Sequence, residues 1–274
     1  MKTQAVPLPS KPLLLQQGWL HHIPAPLHGW IVPAAVTAVW QAAGSAGLLS
    51  PSALPTPLSI AASFVELCAS GELYRHLAIS AWRAGLGFLL GGALGLLLGM
   101  FAGLGKLVER TLDPSLQMLR AVPLLSVIPL FILWFGIGEF SKILLISLGS
   151  FFPVYVHTFL GIRSLDRKLY EVSLIFEYSV WQRAVKLILP AALPQLLLGI
   201  RLSLGVSWLL LVVAEMMAAS AGIGYMIQDA RTFSNTPVIF VGIILFALIG
   251  KLSDSSVRLL ERRWLHWQNT YRGL

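Results

Sequence analysis

The amino-acid sequence predicts an all-α polytopic membrane protein with about six membrane-spanning helices. Three observations carry this prediction. Of 274 residues, 56% are hydrophobic and only 12% are charged, whereas a soluble domain carries about a quarter charged residues. The apolar residues gather in runs long enough to cross a bilayer and almost free of ionisable groups. The basic residues between those runs fall mostly on one side of the implied membrane.

The segments follow in order. Residues Met1 to Leu27 contain several prolines and no sustained apolar run, and no apolar core precedes a small-residue cleavage site; they predict a loosely ordered tail, not a secretory signal. The first span is expected over Trp30–Leu48, with Trp30 and Trp40 as interface anchors. Pro51, Pro55 and Pro57 break the chain, and the mixed segment Leu58–Ser80 predicts short interfacial helices. The second span, Ala84–Leu104, carries Gly87, Gly91, Gly95, Gly99 and Gly103 at intervals of four. That register puts them along one helix face, where small residues let a second backbone approach closely.

The third span, Leu116–Gly136, contains Pro123 and Pro129 and is expected to be kinked or partly unwound. Glu139–Lys142 reads as a polar turn, and Ile143–Leu160 as the fourth span. Leu193–Ala214 and Pro237–Ser256 complete the set. Lys251 and Asp254, three apart, are positioned to pair on one helix face.

Six spans put both termini on one side. Lys2, Lys11, Lys106, Arg110, Arg163, Arg167, Lys168, Arg183, Lys186, Arg258, Arg262, Arg263 and Arg272, thirteen in all, fall there; four, Arg75, Arg83, Lys142 and Arg231, fall on the other side. The bias assigns the termini to the cytoplasm and accounts for the net charge of +8 without invoking nucleic acid. The single cysteine, Cys68, excludes an intramolecular disulfide, and the scattered histidines offer no metal-ligand spacing.

The polar segment Glu171–Pro194 stands out between apolar blocks. Trp181, Ala184, Val185 and Ile188 fall at helical spacing, so an amphipathic surface helix is expected there, ending at Leu189-Pro190. Two outcomes are open at Glu177, a strained turn or a continuous helix from Glu171 onward; because LIFEYSVW holds no glycine or proline, the straighter, less sharply bent helix is expected.

This segment resembles the cytoplasmic EAA loop of ATP-binding-cassette importer permeases. Glu171 matches its first position, Leu187 conservatively matches its isoleucine, and Leu189-Pro190 match its end; Val172, Ser173 and Glu177 depart from its two alanines and its glycine. The resemblance extends over about Leu54 to Trp267 through LPTP, LDPSLQMLRAVPLLSVIPLFILWFGIGEFSK, GIRLSLGVSW, AGIGYMI and LLERRWLHW. Together these are similar to the branch of permeases for sulfonates, taurine and nitrate, nearest to those for aliphatic sulfonates.

The resemblance implies the transmembrane domain of a type I importer, working as a homodimer in the bacterial inner membrane. Two cytoplasmic ATPase subunits would use ATP and Mg, and an extracytoplasmic binding protein would deliver an aliphatic sulfonate or related small anion. The chain itself would bind no cofactor, and no GxxxxGK[ST] motif occurs in it. The implied division is a cytoplasmic tail at 1–27, a permease domain at 28–264 with its coupling loop at 163–194, and a tail at 265–274. Within the loop, Leu174, Ile175, Trp181 and Val185 would give affinity for an ATPase groove, Glu171 and Arg183 register, and Glu177, Leu189 and Pro190 shape. No catalytic set is visible. Arg120, Arg201, Ser207 and Glu215 are the candidates for the translocation path, since charges within spans are functional candidates by default. Snorkelling or helix pairing is the competing role for the two arginines, and a structural role for Glu215. An ion-gradient-driven transporter, the competing class, calls for internal repeats and several intramembrane carboxylates.

Overall fold

A computed structural model describes residues 28–265. The expected N-terminal tail, and residues 266–274 of the C-terminal one, lie outside the described residues. The chain divides into two compact units, residues 1–57 and 58–274.

In the first unit, α1 (His28–Ser45) ends where Gly47 takes φ 74°. The Leu48 N–H donates to the Ala43 carbonyl and the Gly47 N–H to the Gly44 carbonyl, a Schellman closure that needs a left-handed residue. The apolar part of α1, Ile31–Ser45, is shorter than the ~20 residues that cross a bilayer. α1 covers Trp30–Ser45 of the first expected span.

The second unit holds α2 (Pro57–Ala69), α3 (Glu72–Leu104), α4 (Lys106–Arg120), α5 (Leu124–Phe135), α6 (Glu139–Arg163), α7 (Arg167–Ile175), α8 (Val180–Arg183), α9 (Leu189–Ala218), α10 (Ile223–Thr232) and α11 (Thr236–Trp264). Among the described residues, four helical stretches are long and apolar enough to cross a membrane: α3, α6, Val180–Met217 and α11. The third expected span is broken, as its prolines implied, into two helices, α4 and α5, bent by 95°. Pro123 caps the second of them in extended geometry, as a residue without an N–H does readily at a helix start. The pair makes a fifth crossing if taken as one broken span.

α3 starts twelve residues before the expected position, at Glu72. Its 33 residues span about 50 Å at 1.5 Å per residue, more than the bilayer core is thick. The surplus, about three turns, carries His76, Ser80 and Arg83, all buried.

The glycine register organises the core. Gly87, Gly91, Gly95, Gly99 and Gly103 are all buried on α3. A Cβ on Gly91 would fall on the Ser147 carbonyl, one on Gly99 would lie 2.8 Å from the Tyr155 carbonyl oxygen, and one on Gly103 2.9 Å from Ile162. Contacts rise together in both helices, so α3 and α6 run parallel, backbone against backbone; the bent pair α4–α5 is the crossover between them. α9 returns antiparallel along α6. Ser150 and Ser207 share a 2.6 Å hydrogen bond, and Ser203 Oγ donates to the Ser150 carbonyl at 2.9 Å. α5 closes one end through Ile128 and Phe131 against Leu145 and Ala214.

Candidate functional site

Three features stand out: the loop between α6 and α9, a buried charge cluster at the opposite end of the bundle, and a cavity between them.

The loop is two helices, not one. α7 is capped by Asp166, whose carboxylate accepts from the Lys168 N–H at 2.9 Å. It ends in a Schellman closure: the Tyr178 N–H donates to the Ser173 carbonyl and the Glu177 N–H to the Leu174 carbonyl, each at 3.0 Å. The closing residue is Glu177, at φ 52°. The expected straight helix is therefore wrong. The overlooked signal was Ser179-Val-Trp-Gln182: Ser179 Oγ accepts from the Gln182 N–H at 3.2 Å, and Gln182 Oε1 from the Ser179 N–H at 2.9 Å. This capping box starts a new helix and forces the break before it.

The expected stop at Leu189-Pro190 is wrong as well. α8 runs through a π-helical segment, Ala184–Ile188, straight into α9, with Pro190 in the first turn of the latter. Widening the helix shifts the hydrogen-bond ladder so that proline's missing N–H leaves no ordinary turn broken.

Arg183 donates to the Tyr170 hydroxyl at 3.0 Å, with its guanidinium 5.6 Å from that ring's centre. It ties α8 to α7. Glu171 pairs with Arg167 at 2.9 Å, one turn earlier on the same helix. Around the turn, Ile175, Phe176, Val180 and Trp181 are 69–78% exposed; Leu174, Val185 and Leu189 are about half so. Phe176 and Val180 were not singled out from sequence, because neither falls on the helical stripe that a single straight helix would have.

At the other end, Arg83 of α3 makes a bidentate pair with Glu139 at the start of α6, 2.6 Å for each bond. It also donates to Glu215 of α9 at 2.7 Å and to the Ala221 carbonyl at 2.6 Å. Lys142 adds a 3.0 Å bond to Glu139. Glu215 is fully buried and also accepts from Ser80 Oγ and from the Gly224 N–H, each at 2.9 Å. The turn before α10 is held by the same helix: the Ile223 N–H donates to Ser80 Oγ at 2.8 Å and the Gly222 N–H to His76 Nδ1 at 3.0 Å. Gly222 takes φ 122°, and a Cβ there would overlap the Glu215 carboxylate, so both the turn and the close approach require glycine. Arg83, Glu139 and Lys142 were read from sequence only as loop charges. Nothing in their spacing brings them to Glu215.

The cavity, of about 380 Å³, is lined by Arg120 and Leu124 at the α4–α5 break, Gly149, Phe152, Pro153, Val156 and His157 of α6, and Leu202 and Val206 of α9. His157 Nδ1 lies 3.2 Å from Gln195 Oε1. Of the four path candidates only Arg120 lines it. Arg201 pairs with Asp254 of α11, which also takes Arg258 at 2.9 Å. The expected Lys251–Asp254 pair is thus replaced, because Asp254 reaches a cation on the neighbouring helix and one a full turn along its own. Ser207 lies in the α6–α9 seam and Glu215 in the charge cluster.

A bundle of helices long and apolar enough to cross a membrane, with a cavity bordered by Arg120 and an apolar loop at one end, defines a polytopic membrane protein. Residues 95–266 match the family model described as "Binding-protein-dependent transport system inner membrane component", and the chain belongs to that family. It is an inner membrane component of a binding-protein-dependent transport system, and its described residues are all-α, as expected from the sequence. It is 57% identical over 99% of its length, and 96% of the relative's, to a Bacillus subtilis protein named as an aliphatic sulfonates transport permease, SsuC. The Escherichia coli protein of that name is 51% identical over 88% of this chain and 92% of its own length. The taurine transport system permease protein TauC of Escherichia coli is 36% identical over 85% and 87% respectively.

Proposed function

We propose that this chain is the permease subunit of an ATP-driven importer of aliphatic sulfonates. The observation that carries the reading is the 57% identity to the Bacillus subtilis SsuC over nearly the whole of both chains. Two copies would form the pathway in the bacterial inner membrane with their termini in the cytoplasm. An extracytoplasmic binding protein would deliver the solute to the end bearing the Arg83 cluster.

Two ATPase subunits, using ATP and Mg, would grip the loop between α6 and α9. Ile175, Phe176, Val180 and Trp181 supply the apolar surface that helix-in-groove docking needs. The continuity of α8 with α9 gives such docking a mechanical consequence: displacement of the loop is transmitted along a helix that reaches Glu215. Arg183 and Glu171 hold the loop's own shape in this scheme.

The test is uptake of pentanesulfonate by inside-out-depleted proteoliposomes holding permease, ATPase and binding protein. ATP- and binding-protein-dependent uptake is expected, abolished by Trp181→Asp with assembly of the permease copies intact. Uptake driven by an ion gradient without the ATPase would overturn the reading. Taurine, given the TauC likeness, is the competing solute to run beside it.

A further inference from the structure

The cavity beside Arg120 has the chemistry of a small amphiphile's binding site. Its one cation sits at the α4–α5 break, and the side chains of Phe152, Val156, Leu202 and Val206 supply an apolar wall. Among the cations within or beside the spans, Arg83, Lys142 and Arg201 each have a carboxylate partner. Arg120 and Lys251 have none among the described residues, and of these two only Arg120 lines the cavity. A guanidinium without a carboxylate is open to an anion, and it presents a planar set of donors suited to bidentate contact. The volume, about 380 Å³, falls in the ~300–1,000 Å³ range of small-molecule sites.

We infer that this cavity is a solute-selecting site within the permease itself, taking a small organic anion by its head group at Arg120 and its alkyl tail along the Val156–Val206 wall. The inference rests on the reading of the chain as an importer of such anions, and deepens it. Selection then occurs twice: once at delivery and again inside the membrane. Tail length is read by burial, since each methylene moved from water to an apolar wall improves affinity about fourfold. The head group is read by charge.

The test uses the full chain in nanodiscs of zwitterionic lipid, with radiolabelled pentanesulfonate as probe and methanesulfonate, propanesulfonate and hexanoate as competitors. Affinity should rise about fourfold per methylene from the methyl to the pentyl compound. Arg120→Leu should weaken all of them about tenfold to a hundredfold, with Arg120→Lys keeping most of the binding. Val206→Phe, which fills the tail end, should abolish the chain-length trend while sparing methanesulfonate. Equal affinity across chain lengths, or binding indifferent to Arg120→Leu, would overturn the site. So would competition by anionic lipid added to the nanodisc at the expense of every solute, which would make lipid the occupant. Hexanoate bound as tightly as pentanesulfonate, and with the same dependence on Arg120, would keep the site while removing the sulfonate reading of the transporter.

Discussion

Glu177 sits at φ 52°, the one position in the α7–α8 turn where an L-residue pays for its Cβ. The left-handed conformation costs about 1–2 kcal/mol for a residue with a side chain. Glu177→Gly removes that cost and adds about 0.5–1 kcal/mol of unfolded-chain entropy. The net effect is a turn more stable by roughly 0.5–1 kcal/mol. The amides of Phe176, Glu177 and Tyr178, which donate to Val172, Leu174 and Ser173, report it directly. In nanodiscs their hydrogen exchange should slow about two- to fivefold, because the closure opens less often. Glu177→Val, a β-branched residue in the same conformation, should speed exchange. Since glycine keeps the geometry, ATP hydrolysis stimulated by the binding protein should stay within about twofold of wild type. Faster exchange in Glu177→Gly would mean that the segment is a continuous helix in the membrane, and would refute the two-helix loop.

Gly91→Ala should lower the thermal midpoint sharply, because its Cβ lands on the Ser147 carbonyl, whereas Gly92→Ala, with nothing nearer than 4.0 Å, should leave it unchanged; thermal unfolding of the purified chain separates the two. Cys68, half-buried in α2, should react with a membrane-impermeant maleimide in cells whose outer membrane is permeabilised, and reaction only after the inner membrane is opened would reverse the proposed orientation. Arg83→Met leaves Glu215 buried without its cation and should destabilise the fold by about 3–5 kcal/mol; adding Glu215→Gln should recover much of the loss, as read by the temperature at which the folded peak disappears in size exclusion. Arg201→Leu and Asp254→Leu should each impair stability, and the double variant less than their sum.

What the sequence disclosed was set by how local each signal is. Apolar runs and a four-residue glycine register are properties of one helix, and both survive into the structure. The register even names the face of α3 that meets α6, because in lipid small residues mark close approach. Breaks were legible only where their chemistry was recognised. Pro123 announced the division of α4 from α5, but the break at Glu177 was announced by Ser179 and Gln182, two residues whose meaning lies in a reciprocal pair of hydrogen bonds. Pro190 gave a false stop. A proline's missing N–H ends a helix only if the ladder keeps its period, and here the ladder widens to π geometry just before it.

The charges within the spans show where local reading ends. A single rule, that an ionisable group in a membrane is functional, selected Arg120, Arg201 and Glu215 alike. The rule rests on the cost of an unpaired charge in a medium of low dielectric, so it applies to a residue only after its partners are known. Glu215 has Arg83, 132 positions away, and Arg201 has Asp254, 53 positions away. Their cost is offset inside the fold, by helices that those same bonds hold together. For Arg120 no such offset exists among the described residues, and its guanidinium borders a cavity large enough for a small molecule. The same argument therefore weighs for a structural role of Arg201 and Glu215, and it is why the proposed solute site is set at Arg120, which has no carboxylate partner among the described residues and borders the cavity.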